Sequence, residues 1–231
     1  MLKQIFNLKN TPPQISKDLE SFHKDVMHEV DGLEGKEVII PNQGMMSNVI
    51  IIGDYVFKWP TNAGTVVYYD QDFQVLQHIA GKGLPSPEVT HIGEKSMFFG
   101  MKRIKGVPLY SLPALKPEEE QDLAKSIADF VVRLARAVPP RNGQYLQNPD
   151  INGGNILINP ETKRLEGIID FGDAYYGPLS KLGSAIGMGI HDDKKTHTGI
   201  NVLVRQEIDR LLRTSQTLTP QRFSSAGRSV P

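Results

Sequence analysis

The sequence predicts an α+β fold in which a small antiparallel β-sheet precedes a mostly helical part of the chain. Short runs of β-branched residues crowd into the first half, helical periodicity dominates the second half, and a proline-rich stretch at residues 103–117 separates the two. A chain of 231 residues, with 39% hydrophobic and 23% charged residues, is long enough to form two small lobes around a shared cleft.

The first half of the chain alternates between helical and strand-like patterns. Residues 16–30 carry apolar side chains three or four positions apart, which predicts an amphipathic helix. The stretch EVIIPNQGMMSNVIIIGDYVFKWP, residues 37–60, contains three apolar runs divided by the turn sequences PNQG and GD, which indicates an antiparallel meander. A second helix is predicted at 68–80, and further short strands are predicted near 88–92 and 96–101.

Helices dominate the second half. A long helix is predicted to begin at Pro117, because proline suits the first helical position and three glutamates follow it at the positive end of the helix dipole. A Pro-Pro pair ends this helix. Two short strands at 156–158 and 165–169 flank an Asn-Pro turn, and two more helices are predicted at about 178–189 and 198–213.

These patterns divide the chain into an N-terminal lobe at 1–102, a C-terminal lobe at 103–213, and a tail at 214–231 that is predicted to be disordered. The sequence contains no cysteine, which excludes disulfides and cysteine metal sites and fits a cytoplasmic location. The formal net charge is zero and no apolar stretch reaches the length of a membrane span. Neither nucleic acid nor a membrane is therefore expected as a partner.

The segment NPDINGGNILINPETKRLEGIIDFGDA, residues 148–174, holds the strongest chemical signal. Asp150 is followed by Asn155 and, beyond two apolar strands, by Asp170 of an Asp-Phe-Gly sequence. Phosphoryl transfer needs held phosphates, metal ions and a carboxylate that orients the nucleophile. Asp150 could accept a proton from a substrate hydroxyl, while Asn155 and Asp170 offer the hard oxygen ligands that Mg²⁺ prefers.

Each of these motifs also has a simpler interpretation. Asn-Gly-Gly-Asn and Asp-Phe-Gly, taken singly, are more often turns than sites, and a strand lysine such as Lys58 in YVFKWP is usually a solvated edge residue. Their joint spacing, with Lys58 one hairpin after the turn that carries Gly44, matches the lysine strand, catalytic loop and metal motif of kinases. The combination therefore favours a kinase-like site over unrelated turns.

On these motifs the chain resembles the aminoglycoside phosphotransferase and choline kinase-like family, whose members act on small molecules and have a two-lobed protein-kinase-like fold. The similarity covers about residues 38–190. GMMSNVIIIGDYVFKWP resembles the family's phosphate loop and lysine strand, MFFGMKRIKGVPL its hinge, and DINGGNILINPETKRLEGIIDFGDA its catalytic and metal motifs. The resemblance implies a kinase that uses ATP or GTP together with Mg²⁺.

The resemblance also implies a role for each matching residue. Asp150 is the catalytic carboxylate, and Asn155 and Asp170 are the Mg²⁺ ligands. The implied nucleotide site consists of Gly44, Ser47, Asn48, Lys58, Asp72, Met101, Lys102, Arg103 and Ile104.

Within that nucleotide site, Lys58 contacts the α- and β-phosphates, while Ser47 and Asn48 lie over the phosphates. The backbone at 102–104 holds the nucleobase in the implied arrangement. Asp173 could support the site from behind without touching the metal.

Several positions depart from the family pattern. Asp72 stands where the family has glutamate, and its shorter side chain is expected to leave the ion pair with Lys58 longer or absent. Asn148 replaces a histidine before the catalytic aspartate, and Lys181 replaces an aspartate that braces the catalytic loop. Either the loop is braced differently or catalysis is weakened. Pro149 suggests the first alternative, since its fixed φ could replace a hydrogen-bonded brace with a covalent one.

The phosphate acceptor stays open at this stage. From Lys181 onward basic residues outnumber acidic ones, which disfavours a polycationic acceptor, although such charges often only solvate helix faces. HDDKKTHTG, residues 191–199, could be a mobile lid, and an exposed polar loop is a more common use of such a sequence than a metal site. A neutral sugar, an anionic metabolite or another hydroxyl compound is equally compatible with the pattern.

Three functions compete on this sequence. The first is a small-molecule kinase that uses ATP or GTP with Mg²⁺. The second is a pseudokinase-type module that binds nucleotide or a protein partner without transfer, which the substitutions at Asp72, Asn148 and Lys181 favour. The third is an atypical protein kinase, which the short acceptor region permits. The retained Asp150, Asn155 and Asp170 favour an enzyme over a module, since a decayed site has no reason to keep all three.

Overall fold

The computed structural model describes residues 15–16, 18–41, 46–185 and 199–216. It shows a mixed α+β architecture with an antiparallel sheet lobe and a helical lobe, as the sequence predicted. The strands of the N-terminal lobe are β1 (Val38–Ile39), β2 (Ser47–Ile52), β3 (Tyr55–Pro60), β4 (Val89–Ile92) and β5 (Phe99–Lys102). They form a five-stranded antiparallel sheet in the order β1-β2-β3-β5-β4.

Helix α1 (Leu19–Glu29) covers one face of this sheet and is fixed at both ends. The Asp18 side chain accepts a hydrogen bond from the Ser21 N–H at 2.8 Å, so the helix begins after this cap and not at residue 16 as the periodicity suggested. At the other end the Glu29 carboxylate accepts three backbone hydrogen bonds from residues 94–96, in the turn between β4 and β5.

The contact between α1 and the sheet is aromatic. The Phe22 ring stacks on the Trp59 ring with centroids 3.6 Å apart, and it meets the Phe98 ring edge-on at 5.9 Å. All three side chains are almost fully buried. Burial of large aromatic surfaces is among the strongest contributions that a single contact makes to stability, so this cluster anchors the helix.

Phe22→Ala is expected to lower the free energy of unfolding by about 3–5 kcal/mol, because it leaves a cavity beneath α1. Urea unfolding followed by tryptophan fluorescence measures this directly, since Trp59 is the only tryptophan of the chain. Val67→Ala, at a position 64% exposed, is the control and should change stability by less than about 0.5 kcal/mol. Equal unfolding midpoints for the two variants would contradict the anchoring role of Phe22.

Helix α2 (Val66–Ile79) follows a one-turn 3-10 helix at Ala63–Thr65 and packs against β3, β4 and the helical lobe. The Asn62 side chain accepts a hydrogen bond from the Gly64 N–H at 2.8 Å and starts this turn. Helix α2 begins earlier than the apolar pattern predicted, because the capped turn leads straight into it. The helix carries Asp72 toward the sheet.

The C-terminal lobe is built around one long helix. Its helices are α3 (Pro117–Ala137), α4 (Leu182–Ala185) and α5 (Ile200–Gln216). Its short strands are β6 (Val107–Pro108), β7 (Tyr145–Gln147), β8 (Ile156–Ile158), β9 (Leu165–Ile168) and β10 (Tyr175–Gly177). Strands β6, β8 and β9 form one small antiparallel sheet, and β7 pairs with β10. Helix α3 packs chiefly against α5.

One hydrophobic core runs through both lobes. It joins the inner face of α2 and the buried residues of β5 to the apolar stripe of α3 and to the β8–β9 hairpin. Phe171 of the Asp-Phe-Gly sequence is completely buried in it and lies 6.3 Å from the Phe130 ring of α3. The two lobes therefore pack on each other on the side where the metal motif lies.

The short strands of the C-terminal lobe were the hardest elements to predict. β6 lies within the proline-rich stretch that reads as irregular, and β7 and β10 have three residues each, too few for a periodic pattern.

The strand predicted at 96–101 begins only at Phe99, because the Phe98 N–H turns back onto the Ser96 carbonyl. Helix α5 continues past the predicted end at residue 213 to Gln216.

Three sequence-based predictions about segments remain as they were. The division into lobes after residue 102 coincides with the end of β5 but stays a prediction. The tail beyond 216 and the segment 186–198, which includes most of the possible lid, lie outside the described residues. In the part of the chain that the structure describes, every helix is too short or too polar to cross a bilayer.

Candidate active site

Lys58 lies at the centre of a buried ion-pair network. It sits on β3 between Val49 of β2 and Phe99 of β5, so its backbone is held on a central strand. Its Nζ lies 2.7 Å from Asp72 Oδ2 and 2.9 Å from Asp170 Oδ1. Burial alone would lower the pKa of Lys58, but the two carboxylates outweigh it and raise that pKa above its usual value. The lysine therefore carries its charge inside the protein.

Asp72 connects this lysine to the metal motif. One carboxylate oxygen accepts the Lys58 hydrogen bond, and the other accepts the Phe171 N–H at 2.9 Å. Asp72 is only 1% exposed. The expectation that the shorter aspartate leaves the ion pair longer or absent is wrong. Helix α2 packs directly on β3, so the shorter aspartate side chain reaches Lys58. The hydrogen bond from the Phe171 N–H holds the Asp72 carboxylate in that position.

Asp170 has an unusual backbone conformation. Its φ is +65°, in the left-handed region that residues other than glycine rarely adopt. The sharp turn lets Gly172 approach the Tyr68 carbonyl so closely that an added Cβ would lie 3.1 Å from that oxygen. The Asp170 side chain remains 43% exposed, so a ligand in the cleft can reach the carboxylate. Strained backbone held by its surroundings is common at functional sites.

The catalytic loop holds Asp150 by both of its oxygens. Oδ1 accepts a hydrogen bond from the Asn152 side chain at 2.7 Å, and Oδ2 accepts one from the Asn155 Nδ2 at 2.8 Å. The Asn152 Oδ1 in turn accepts the N–H groups of Gly154 and Asn155. Because the Asn155 NH₂ group faces Asp150, its carboxamide oxygen is the atom that can bind a metal.

The electrostatic surroundings of Asp150 favour its protonated form relative to an ordinary aspartate. Burial is the main cause that raises the pKa of Asp150, and the negative charges of Asp170 and Asp173 add to it. The hydrogen bonds from Asn152 and Asn155 act in the opposite direction. Asp150 is therefore a stronger proton acceptor than a solvated aspartate, which suits a group that takes a proton from a hydroxyl.

Asn148 ties the catalytic loop to the metal motif. Its Nδ2 donates to the Asp170 carbonyl at 2.9 Å, and its Oδ1 accepts the Asp150 N–H at 3.1 Å. Asn148 is 3% exposed. The loop is thus braced through a carboxamide in place of an imidazole. The hypothesis that Pro149 substitutes for a hydrogen-bonded brace is wrong, because that brace is present in the residue before it.

The model of the phosphotransferase enzyme family matches residues 39–146, which is slightly less than half of the chain and ends before Asp150. No curated protein sequence matches the chain significantly.

Solved structures extend the likeness over most of the chain. A GDP complex of an aminoglycoside 2'-phosphotransferase-IIIa mutant is 18% identical with a TM-score of 0.62, and 85% of each chain is covered. A streptomycin–ATP complex of APH(2")-IIa is 15% identical with a TM-score of 0.64, and 83% of each chain is covered. APH(3'')-Id from Streptomyces rimosus is 14% identical with a TM-score of 0.57, covering 83% of this chain and 92% of that one.

The chain has the fold of the aminoglycoside phosphotransferases. The family resemblance predicted from the sequence is confirmed, and so is the protein-kinase-like fold. Identities of 14–18% establish the fold alone. What those proteins bind is therefore not transferred to this chain by the comparison.

Ser47 and Asn48, the residues predicted to lie over the phosphates, are on opposite faces of the N-terminal sheet. Ser47 is in β2 and shares the sheet face of Lys58, since Val49, two positions later, is the partner of Lys58. Asn48 pairs with Trp59 and shares the face covered by α1. The register therefore does not support a phosphate contact by the Asn48 side chain. Gly44 lies outside the described residues.

The predicted hinge lies at the end of β5 and in the residues that follow it. Met101 is buried, and the N–H groups of Lys102 and Arg103 donate to backbone carbonyls in neighbouring segments at 2.9 and 2.8 Å. Among the described residues, none accepts a hydrogen bond from the Ile104 N–H. Gly167 of β9 lies beneath, where an added Cβ would meet the Ile104 side chain at 2.5 Å. Within the predicted hinge backbone at 102–104, the Ile104 N–H is thus the donor that has no hydrogen-bond partner among the described residues.

Lys181 does not brace the catalytic loop. It is exposed at the end of a 3-10 turn, and its N–H donates to the Pro178 carbonyl. The arginines of α5 that made the lower lobe look basic are exposed as well, and Arg210 pairs with Glu207 at 2.6 Å. These observations favour the interpretation that the α5 charges solvate a helix face.

Sequence reasoning missed three carboxamides that organise the site: Gln147, Asn148 as a brace, and Asn152. The signal for Asn152 was present in the Asn-Gly-Gly-Asn turn, where an asparagine commonly bonds the backbone two residues on. Gln147 gave no signal, because a single polar residue before a turn is common in any sequence.

Proposed function

We propose that the chain is a nucleotide-dependent phosphotransferase that moves the γ-phosphate of ATP or GTP to a hydroxyl of a small molecule with the help of Mg²⁺. The observation that carries this proposal is the convergence of the candidate residues. Lys58 and Asp170 are 112 positions apart in sequence and 2.9 Å apart in space, and Asp150 and Asn155 are joined to Asp170 through Asn148.

The residues present fit a magnesium ion that is held mainly by its nucleotide. The described residues contain no cluster of three or more histidine or carboxylate ligands. Mg²⁺ in kinases needs only one or two protein ligands, because substrate phosphates and water complete its shell. The Asn155 carboxamide oxygen and the exposed Asp170 carboxylate supply a neutral and an anionic oxygen. When bound, the metal neutralises the charge that develops on the transferred phosphoryl group.

In this proposal Lys58 contacts the phosphates of the nucleotide, and the hinge contacts its nucleobase. The charged Nζ of Lys58 now shares its hydrogen bonds between two carboxylates, and phosphate oxygens are equivalent acceptors for it. Asp72 would keep the lysine in place, and the Asp170 carboxylate would be the anionic oxygen that holds the metal. Ile104 N–H receives the nucleobase edge, and Ser47 lies on the sheet face that looks toward the phosphates.

Asp150 acts on the acceptor hydroxyl in this proposal. Its two oxygens are oriented by Asn152 and Asn155, so the carboxylate presents a fixed lone-pair direction to the hydroxyl. Proton acceptance by a positioned carboxylate and alignment of the hydroxyl with the γ-phosphate are the contributions that phosphoryl transfer requires from protein side chains. The small-molecule acceptor and the cytoplasmic location belong to the proposal.

Calorimetric titration of ATP with and without Mg²⁺ tests the nucleotide site. The native chain is expected to bind ATP more tightly when Mg²⁺ is present, and Asp170→Asn should lose most of that difference because it removes the anionic ligand. Asp129→Asn, at an exposed position of α3, is the charge-matched control and should bind like the native chain.

Two results would count against the nucleotide site. Binding of ATP that ignores Mg²⁺ in both the native chain and Asp170→Asn would remove the metal from the proposal. Absence of binding by the native chain to ATP and to GTP would reject the nucleotide site altogether and leave a kinase-shaped module for a protein partner.

A further inference from the structure

We propose that Gln147 is a positioning residue, which fixes the segment after the metal motif, residues 175–178, against the catalytic loop. This inference rests on the proposed phosphotransfer function and adds to it a residue that positions the catalytic loop. Gln147 directly precedes Asn148, whose side chain bonds both the Asp150 N–H and the Asp170 carbonyl, so the residues that Gln147 holds are tied to the strand that leads into the catalytic loop.

The Gln147 side chain uses both ends of its carboxamide. Its Nε2 donates to the Pro178 carbonyl at 2.9 Å, and its Oε1 accepts the Tyr175 hydroxyl at 3.2 Å. Gln147 also pairs with Tyr175 in the β7–β10 ladder. Gln147 is 1% exposed, so the loss of a partner would leave its buried carboxamide unsatisfied.

The chain leaves room for this carboxamide at one glycine. A Cβ added to Gly177 would lie 2.9 Å from Gln147 Nε2 and 3.1 Å from the Tyr175 ring. Any side chain at position 177 would therefore displace the glutamine or the tyrosine. The Pro178 carbonyl that Gln147 holds also accepts the Lys181 N–H, so the same bond fixes the start of the turn that leads into α4.

Gln147 and Asn148 are consecutive buried residues, and each joins two segments through its side-chain carboxamide. Gln147 bonds the segment after the metal motif, and Asn148 bonds both the Asp150 N–H and the Asp170 carbonyl. The catalytic loop, the metal motif and the following segment are thus joined through two neighbouring carboxamides. Lys181 is exposed and takes no part in this tie beyond its backbone.

The test compares Gln147→Met, Tyr175→Phe and the control Gln144→Met, which changes an exposed glutamine three residues before Gln147. Phosphate release from MgATP, calorimetric MgATP binding and amide hydrogen exchange are measured on each full-length chain. Gln147→Met is expected to lower the turnover number about tenfold or more, as loss of a supporting hydrogen-bond partner does in other sites, with the Kd for MgATP within about twofold. Exchange should quicken at 148–155 and 173–178.

Tyr175→Phe removes one of the two bonds at a position 44% exposed and should give a smaller loss of turnover at an unchanged melting temperature. If Gln147→Met does not fold, this variant decides, and native turnover with native exchange in it overturns the proposal. Turnover and exchange in Gln147→Met equal to those of Gln144→Met also overturn it.

Failure of the proposed function is seen separately, in the native chain. If the native chain neither binds nor hydrolyses MgATP, the hydrogen-exchange comparison alone tests whether Gln147 ties residues 175–178 to the catalytic loop. Faster exchange in both segments of Gln147→Met then supports the tie, and unchanged exchange refutes it.

Discussion

Asp150→Asn is expected to slow phosphate release from MgATP by about 10²- to 10⁴-fold, because it removes the carboxylate that accepts the proton from the attacking hydroxyl. Water serves as the acceptor in this assay, since the natural hydroxyl compound is not needed to reveal the step. The Kd for MgATP should stay within about threefold of the native value, because Asp150 contacts the loop asparagines and not Lys58. Release of radiolabelled phosphate measures the rate.

The carboxamide introduced by Asp150→Asn would present an NH₂ group to one of the two asparagines that now donate to Asp150, so Asp150→Ala is the second variant. Both variants should lose turnover while Asp122→Asn, on the exposed side of α3, keeps it. Native turnover in Asp150→Ala would show that the carboxylate has no catalytic part. Binding of MgATP by the native chain without any release, even with an acceptor panel, would favour a pseudokinase over an enzyme.

The sequence indicated which candidate site residues lie together, but not which side chains hold them in place. Asp150, Asn155 and Asp170 lie on one loop and one hairpin, so their spacing already limits how far apart they can be. Lys58 was recognisable only in combination with these motifs and the preceding Gly44 turn, because a lysine in an apolar strand is by itself more often a solvated edge residue. The strands of the sheet followed from apolar, β-branched runs divided by turn residues, and the long α3 followed from its proline start and its apolar periodicity.

What the sequence did not predict depends on side-chain direction and on tertiary distance. The strand containing Asn48 was correctly expected, but a shift of one residue moves a side chain to the other face, and only the pairing with β3 reveals which face it takes. Asp72 seemed too short for its lysine, because the distance between α2 and β3 is set by packing and not by local pattern.

The same reasoning changes the weight of the departures from the family pattern. Asn148, Asp72 and Lys181 together favoured a decayed site on sequence alone. In the structure, Asn148 and Asp72 each make two hydrogen bonds that hold the site together, and Lys181 is exposed. Two of the three departures are therefore substitutions that preserve the geometry, which weakens the argument for a module that only binds.

Lys58→Met is expected to lower the free energy of unfolding by about 3–5 kcal/mol, because it leaves the fully buried Asp72 without its counter-charge. Methionine matches the length and volume of the lysine stem, so packing changes little. Urea unfolding monitored by circular dichroism measures the loss. MgATP binding should be lost in the same variant, since the cation that meets the phosphates is gone.

The double variant Lys58→Met, Asp72→Leu separates these two losses. Removing both charges eliminates the unpaired carboxylate, so stability should recover by at least about 2 kcal/mol relative to Lys58→Met alone, while MgATP binding stays absent. The Phe171 N–H loses its acceptor in the double variant, so recovery is incomplete. A double variant as unstable as the single one would show that the lysine stabilises the fold through Asp170 or through its stem. Recovery of stability without recovery of binding would instead show that the buried pair is retained for the nucleotide and not for the fold.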